Sequence, residues 1–175
     1  RGERAQRGRF REFYQADIDV IGDGSLDILN EAEIPSIIYK TFTALGLKRF
    51  KSRVNNRKVL GGLFALLGLE RQSADVMRTI DKLEKIGAEQ VRTILVDDFA
   101  VPAATAGQLL ELLSTADPLA SLAALKGRSA LLDQGVEELN TVVRSMSAFG
   151  VPEDHFTVDL TIARGLDYYT GTVYE

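Results

Sequence analysis

Residues 156–175 read FTVDLTIARGLDYYTGTVYE. Phe156, Val158, Leu160 and Ile162 alternate with Thr157, Asp159 and Thr161, the period-two pattern of a strand that buries one face. Gly165 interrupts the run before a β-rich stretch, Tyr168 to Tyr174. Arg164, just before that glycine, stands where the backbone can bend and let a ligand approach closely. Adjacent tyrosines on a strand point to opposite faces, so one of Tyr168 and Tyr169 can enter the core while the other offers its hydroxyl to a pocket. On periodicity alone, a core hairpin with a tyrosine ladder is the favoured account of the stretch.

Upstream, Leu132, Val136, Leu139, Val142 and Val143 are spaced for one face of a helix over Ser129 to Phe149, which Gly150-Val151-Pro152 ends. From about Leu69 to Leu125 the only aromatic is Phe99, and leucine, alanine and acids recur at helical intervals. Val76, Ile80, Leu83 and Ile86 form one stripe there, and Leu109, Leu110, Leu112 and Leu113 lie on a helix after Val101-Pro102. This reads as a small helical insert with its own core. Earlier still, Phe50, Ser52 and Val54 alternate with Lys51, Arg53 and Asn55, a strand with one charged face, followed by a mostly buried helix over Val59 to Leu67. Ile34, Ile37, Ile38, Phe42 and Leu45 follow helical spacing until Gly46, after a turn at Gly22 to Ser25. Phe10 to Val20 reads as a strand with Phe13, Gln15, Asp17 and Asp19 on one face. Strand and helix alternate, an α/β or α+β pattern.

With 45% hydrophobic residues in 175 the chain can fill a core. It has no cysteine and a single histidine, His155, which excludes disulfides and leaves no cysteine or histidine cluster for a metal. His155, at a strand start, is read as structural. Chemistry must therefore run on carboxylates, arginines, tyrosines and backbone. No apolar run approaches the roughly 18 to 20 residues that span a bilayer, and no signal segment opens the chain, so a cytoplasmic location is expected. The chain starts at Arg1 with no initiator methionine and reads as an excerpt of a longer protein. Net charge is −4, yet two stretches are basic: residues 1–11, with Arg1, Arg4, Arg7, Arg9 and Arg11, and residues 48–58, with Lys48, Arg49, Lys51, Arg53, Arg57 and Lys58 and no acid. The second is read as a solvated edge.

The first basic stretch runs into the acid-bearing strand as RGERAQRGRFREFYQADID, residues 1–19. A guanidinium fork makes paired, charge-assisted hydrogen bonds to phosphate, and Phe13 could stack on a base. A nucleotide-binding loop and a solvated basic hairpin fit these residues equally.

Taken together, the two ends resemble one family. ERAQRGRFREFYQADIDVIG is similar to the second signature segment of class II aminoacyl-tRNA synthetases in its histidine-specific form, and RGLDYYTGTVYE resembles the histidine-specific signature of histidyl-tRNA synthetases. FKSRVNNRKVLGGLFALLG, residues 50–68, also looks like that family, particularly its eukaryotic-type branch. The resemblance implies an α+β fold, an antiparallel sheet of the class II synthetase type flanked by helices, with a small all-helical insertion domain. It divides the chain into catalytic core at 1–68, insertion at 69–125 and catalytic core again at 126–175.

By position, the resemblance implies that Arg1 contacts the ATP α-phosphate and the histidine carboxylate, Glu3 lies near the adenine amino group, Phe13 stacks on adenine and Arg9 meets the distal phosphates. Gln15 would hold the histidine α-amino group, and Asp19 and Tyr169 would take the two imidazole nitrogens, with Tyr168 beside them. Arg164 would be the catalytic arginine, set against the α-phosphate opposite Arg1. Arg4 and Arg7 would touch the tRNA acceptor end. The implied activity is histidine–tRNA ligation through histidyl-adenylate. Its substrates would be histidine, ATP with Mg2+ held mainly through the nucleotide, and tRNA(His), the complete enzyme being a homodimer with no metal on protein side chains.

Two residues depart from the pattern: Gly2 stands where a larger residue is usual and Ala5 where proline is common. No segment resembles the first or third class II signature or the anticodon-binding domain, so the chain alone is expected to be inactive or nearly so. Two other readings are a regulatory paralogue of the synthetases, which tends to lose RGLDYY, and a sensor domain that binds uncharged tRNA without acylating it.

Overall fold

Asp27 stands two residues before helix α1, Leu29–Ala44, its carboxylate accepting the Leu29 amide at 2.8 Å. In the computed structural model the described residues are 7, 8, 10–163 and 169–175. After α1 come strand β1 (Ser52–Asn56) and helix α2 (Arg57–Leu66), then the helices α3 (Ser73–Ile80), α4 (Leu83–Ile86), α5 (Ala88–Thr93), α6 (Ala103–Leu113) and α7 (Pro118–Ala123). The long helix α8 (Ala130–Ala148) leads to β2 (Phe156–Val158), and β3 (Thr172–Tyr174) closes the chain. Every regular element from residue 70 to 148 is helical, in keeping with the leucine and alanine periodicity there.

The stripes read from the sequence bury as expected on α8, where Leu132, Leu139 and Val142 are inaccessible, and on α3, where Val76 and Ile80 are. On α6, Leu109, Leu110 and Leu113 are buried while Leu112 is half-buried. The stripe on α1 differs: Ala32, Pro35 and Ser36 are buried, Ile34, Ile37 and Ile38 only in part, and Phe42 and Leu45 are exposed. One cluster of buried side chains runs from Val54 of β1 through Leu60, Leu63 and Phe64 of α2 and Leu139 of α8 to Leu95 and Leu109.

The closest helix pair is α2 against α8, and glycine makes it possible. A Cβ on Gly62 would lie 2.6 Å from the Leu132 backbone, and one on Gly135 would lie 2.5 Å from the Val59 nitrogen. Neither helix could approach the other at this separation with side chains at both points.

The three strands lie in the order β2-β1-β3. β1 pairs with β3 antiparallel, Asn55 opposite Val173, but with β2 in parallel, Arg53 opposite Thr157. The expected antiparallel sheet is thus a mixed one among the described residues. The reason is connectivity: β1 and β2 are separated by seven helices, a crossover that returns the chain to the same end of the sheet. A second difference is at the start. Residues 10–20, read as a strand, form no ladder and are exposed. A strand needs a neighbour for its N–H and C=O groups, and no described residue supplies one.

Candidate functional site

β1 runs without a loop into α2, and the junction Val54-Asn55-Asn56-Arg57-Lys58 is the most polar stretch in the core. Asn56 caps α2, its side-chain oxygen accepting the Lys58 amide at 2.8 Å. Asn55 is fully buried, which a polar side chain tolerates only when its hydrogen bonds are made. Its Nδ2 donates to the carbonyls of Leu160 (3.2 Å) and Ile162 (2.9 Å), and its Oδ1 accepts the Asn56 amide at 2.8 Å. These carbonyls lie just beyond β2, where the ladder to β1 has ended, so Asn55 takes the place of ladder donors.

Arg57 continues the same task. Its Nη1 donates to the Ala163 carbonyl at 3.2 Å, and its backbone amide donates to the Gly171 carbonyl at 2.9 Å. Beyond Gly171, the Glu31 carboxylate accepts the Thr172 amide at 3.3 Å and the Thr172 hydroxyl. The Glu31 carbonyl accepts the Tyr174 hydroxyl. Burial first, and then the Glu31 charge, push the Tyr174 hydroxyl's pKa far up, which keeps it a donor. Residues on both sides of 164–168 are therefore held by α1 and the β1–α2 junction.

A charged network ties the sheet to the helices. Arg53 Nε donates to Asp159 at 2.9 Å, and its Nη1 meets Glu84 of α4 at 2.6 Å and Glu175 at 3.6 Å. Burial works to raise the Asp159 pKa, but the Thr161 hydroxyl and amide and the Arg53 guanidinium outweigh it and hold the carboxyl below its usual range. Glu138 of α8 behaves alike: burial opposes ionisation, and Lys58, Asn56 and Gln134 more than restore it. The basic stretch 48–58 is thus not one solvated edge. Lys48, Arg49 and Lys51 are exposed, whereas Arg53, Arg57 and Lys58 are partly buried in these contacts. His155 packs between Tyr39 (ring centroids 5.0 Å apart) and Phe50 (4.7 Å) and its Nδ1 lies 3.1 Å from the Phe50 carbonyl oxygen, a structural setting.

Of the site residues named from the sequence, Arg1, Glu3, Arg4, Arg9, Arg164 and Tyr168 lie outside the described residues. Arg7, Phe13, Gln15 and Asp19 are on the exposed segment before α1, with Gln15 Nε2 3.5 Å from Asp17. Tyr169 is half-buried and precedes β3 rather than standing in it. A cleft of about 640 Å³ opens beside Thr170 and Gly171, walled by Glu31, Lys58, Gln134 and Glu138. Among the described residues no cluster of three or more histidine, aspartate or glutamate side chains is arranged to hold a metal. The bracing residues Asn55, Arg57, Glu31 and Tyr174 are not among the site residues named from the sequence, where alternation places Asn55 on a charged strand face and Arg57 falls in a basic stretch.

The C-terminal signature, held at both ends, and the arginine-rich start can be set beside known proteins. The family model for histidyl-tRNA synthetase matches residues 1–175. The chain belongs to the histidyl-tRNA synthetase family. It is similar to the histidine–tRNA ligase of Clostridium tetani, 49% identical over 179 residues that cover all of this chain and 40% of that protein. The histidine–tRNA ligase of Xanthomonas axonopodis pv. citri is 49% identical over 187 residues, covering 39% of that protein. The chain thus spans about two fifths of the length of these relatives. The crystal structure of histidyl-tRNA synthetase from Nostoc sp. PCC 7120 superposes with a TM-score of 0.81 at 36% identity, over 86% of this chain and 37% of that one. The mixed sheet with flanking helices is accordingly the class II synthetase architecture. A structure described as an ATP phosphoribosyltransferase regulatory subunit/histidyl-tRNA synthetase from Bacillus halodurans C, TM-score 0.69 at 20% identity, shares the fold. No helix among the described residues is long and apolar enough to cross a membrane.

Proposed function

We propose that this chain supplies most of the amino-acid and ATP pocket of a histidine–tRNA ligase. The observation that carries the reading is RGLDYYTGTVYE standing intact at 164–175 in a chain that matches the family along its whole length. In the proposed reaction the histidine carboxylate attacks the α-phosphorus of ATP. A new O–P bond forms, the bond to the β-phosphate bridging oxygen breaks, and pyrophosphate leaves with that electron pair. A terminal ribose hydroxyl of tRNA(His) then attacks the carbonyl carbon, the new ester C–O bond replacing the acyl C–O bond to the adenylate phosphate, and AMP departs with that electron pair while the hydroxyl proton leaves to solvent.

Negative charge gathers on the non-bridging α-phosphate oxygens during attack, and Arg164 and Arg1 are assigned as two guanidinium groups that neutralise it without exchanging a proton. Gln15 is assigned to the α-amino group, Asp19 and Tyr169 to the imidazole nitrogens with Tyr168 beside them, and Glu3, Arg9 and Phe13 to ATP. Arg4 and Arg7 are assigned to the tRNA acceptor end. Mg2+ enters as part of the ATP substrate. A site that satisfies both imidazole nitrogens leaves buried polar groups unpaired with any other amino acid, which selects histidine without editing. The working enzyme is proposed to be a cytoplasmic homodimer. The likeness to the eukaryotic-type branch rests on FKSRVNNRKVLGGLFALLG alone; the relatives named above are bacterial.

The test is ATP–pyrophosphate exchange by the complete gene product, run with each amino acid in turn. Exchange with histidine only is the expected result. No exchange above background with histidine would overturn the reading and favour a regulatory or tRNA-sensing paralogue.

A further inference from the structure

We infer that Arg57 is a positioning residue for histidine activation, because it fixes both ends of the stretch 164–170 at once. The inference rests on the activity proposed above. The guanidinium holds the Ala163 carbonyl at 3.2 Å, and the amide of the same residue holds the Gly171 carbonyl at 2.9 Å. One residue therefore holds the chain just before residue 164 and again just before β3. Between these two points lie Arg164, Tyr168 and Tyr169.

The helix explains the amide but not the side chain. Arg57 is the first residue of α2, and the leading N–H groups of a helix have no partner within it, so its amide can reach out to Gly171. A cation at that position opposes the helix dipole, and α2 has no acid in its first turn to offset Arg57 and Lys58. Lys58 is paired with Glu138 of α8. The Arg57 guanidinium reaches the carbonyl of Ala163, the residue next in sequence to Arg164. Asn55 works beside it on the carbonyls of Leu160 and Ile162, so the four residues before Arg164 are held at three of their carbonyls.

Displacement of a reacting group by about 1 Å can cost on the order of 100-fold in rate. Arg57→Ala in the complete gene product is expected to lower kcat for histidine-dependent exchange by about that factor. Its KM for ATP should change little, because the lost contact acts on placement and not on ground-state binding. Arg57→Lys, which can still donate to one carbonyl, should recover about tenfold of the loss. Arg78→Ala, which removes an exposed pair with Asp75, should match the unsubstituted protein. Circular dichroism at the assay temperature reports the folded fraction of each. Unchanged kcat in folded Arg57→Ala, or a loss no larger than its unfolded fraction, overturns the inference while leaving the activity in place. If Arg57→Ala does not fold, Arg57→Lys decides: a lowered kcat in the folded protein supports the inference and an unchanged one overturns it. Absence of exchange in the unsubstituted protein overturns the activity, and this inference with it.

Discussion

Tyr174 donates to the Glu31 carbonyl, and a proline makes that bond possible. Pro35 lies four residues after Glu31 inside α1 and has no N–H, so the helix leaves the Glu31 carbonyl without its usual donor. The tyrosine hydroxyl supplies the missing hydrogen bond and ties β3 to α1. Tyr174→Phe should therefore destabilise the chain by about 1–3 kcal/mol, measured by urea unfolding, since it leaves a partly buried carbonyl without its hydrogen bond. In a Pro35→Ala background the amide restored at that position can serve Glu31, and the same substitution should cost less than half as much. An equal cost in both backgrounds would sever the link. Pro35 and Tyr174 are both visible in the sequence, but their relation is not, because it depends on which helix the last strand meets. Asn55 illustrates the same limit: alternation put it on a charged outer face, and only the end of the β2 ladder shows why a buried amide is needed there.

At the scale of elements, the α2–α8 crossing depends on Gly62 and Gly135. A methyl group on Gly135 would meet backbone atoms of Lys58 and Val59 at 2.5–2.8 Å, and backbone cannot move aside cheaply. Gly135→Ala should cost about 1–3 kcal/mol or more by thermal or urea unfolding. Gly107, inside α6, has open space around it, so Gly107→Ala should instead raise stability by up to about 1 kcal/mol. Opposite signs at two helical glycines separate packing from propensity. Helices were the legible elements: α1, α2, α6 and α8 fall where periodicity put them, because that signal is local. The start of the chain was read less well. Alternation over Phe13 to Asp19 marks residues suited to a strand, but a strand is made by its neighbour, and periodicity does not name one. The parallel pairing of β1 with β2 was hidden for the same reason.

For the molecule as a whole, two partly buried carboxylates join distant parts, Asp159 through Arg53 to α4 and Glu138 through Lys58 and Asn56 to the β1–α2 junction. Both have folded-state pKa values below their ordinary ones, 3.8 for the aspartate and 4.5 for the glutamate. Their stabilisation is complete above those ordinary values and is lost as pH falls through the lowered ones. Urea midpoints should hold near neutrality and drop below about pH 4.5, and the Asp159→Asn, Glu138→Gln double variant should start lower and drop less. Beside these networks, Asn55 and Arg57 hold the carbonyls of Leu160, Ile162 and Ala163, just before Arg164, the centre of the proposed chemistry. The most direct test is a crystal structure of the complete gene product with a non-hydrolysable histidyl-adenylate analogue. The Arg1 and Arg164 guanidinium groups should each lie within about 3 Å of an α-phosphate oxygen, with the imidazole between Asp19 and Tyr169. An analogue bound with either arginine out of reach of that phosphate would contradict the proposed site.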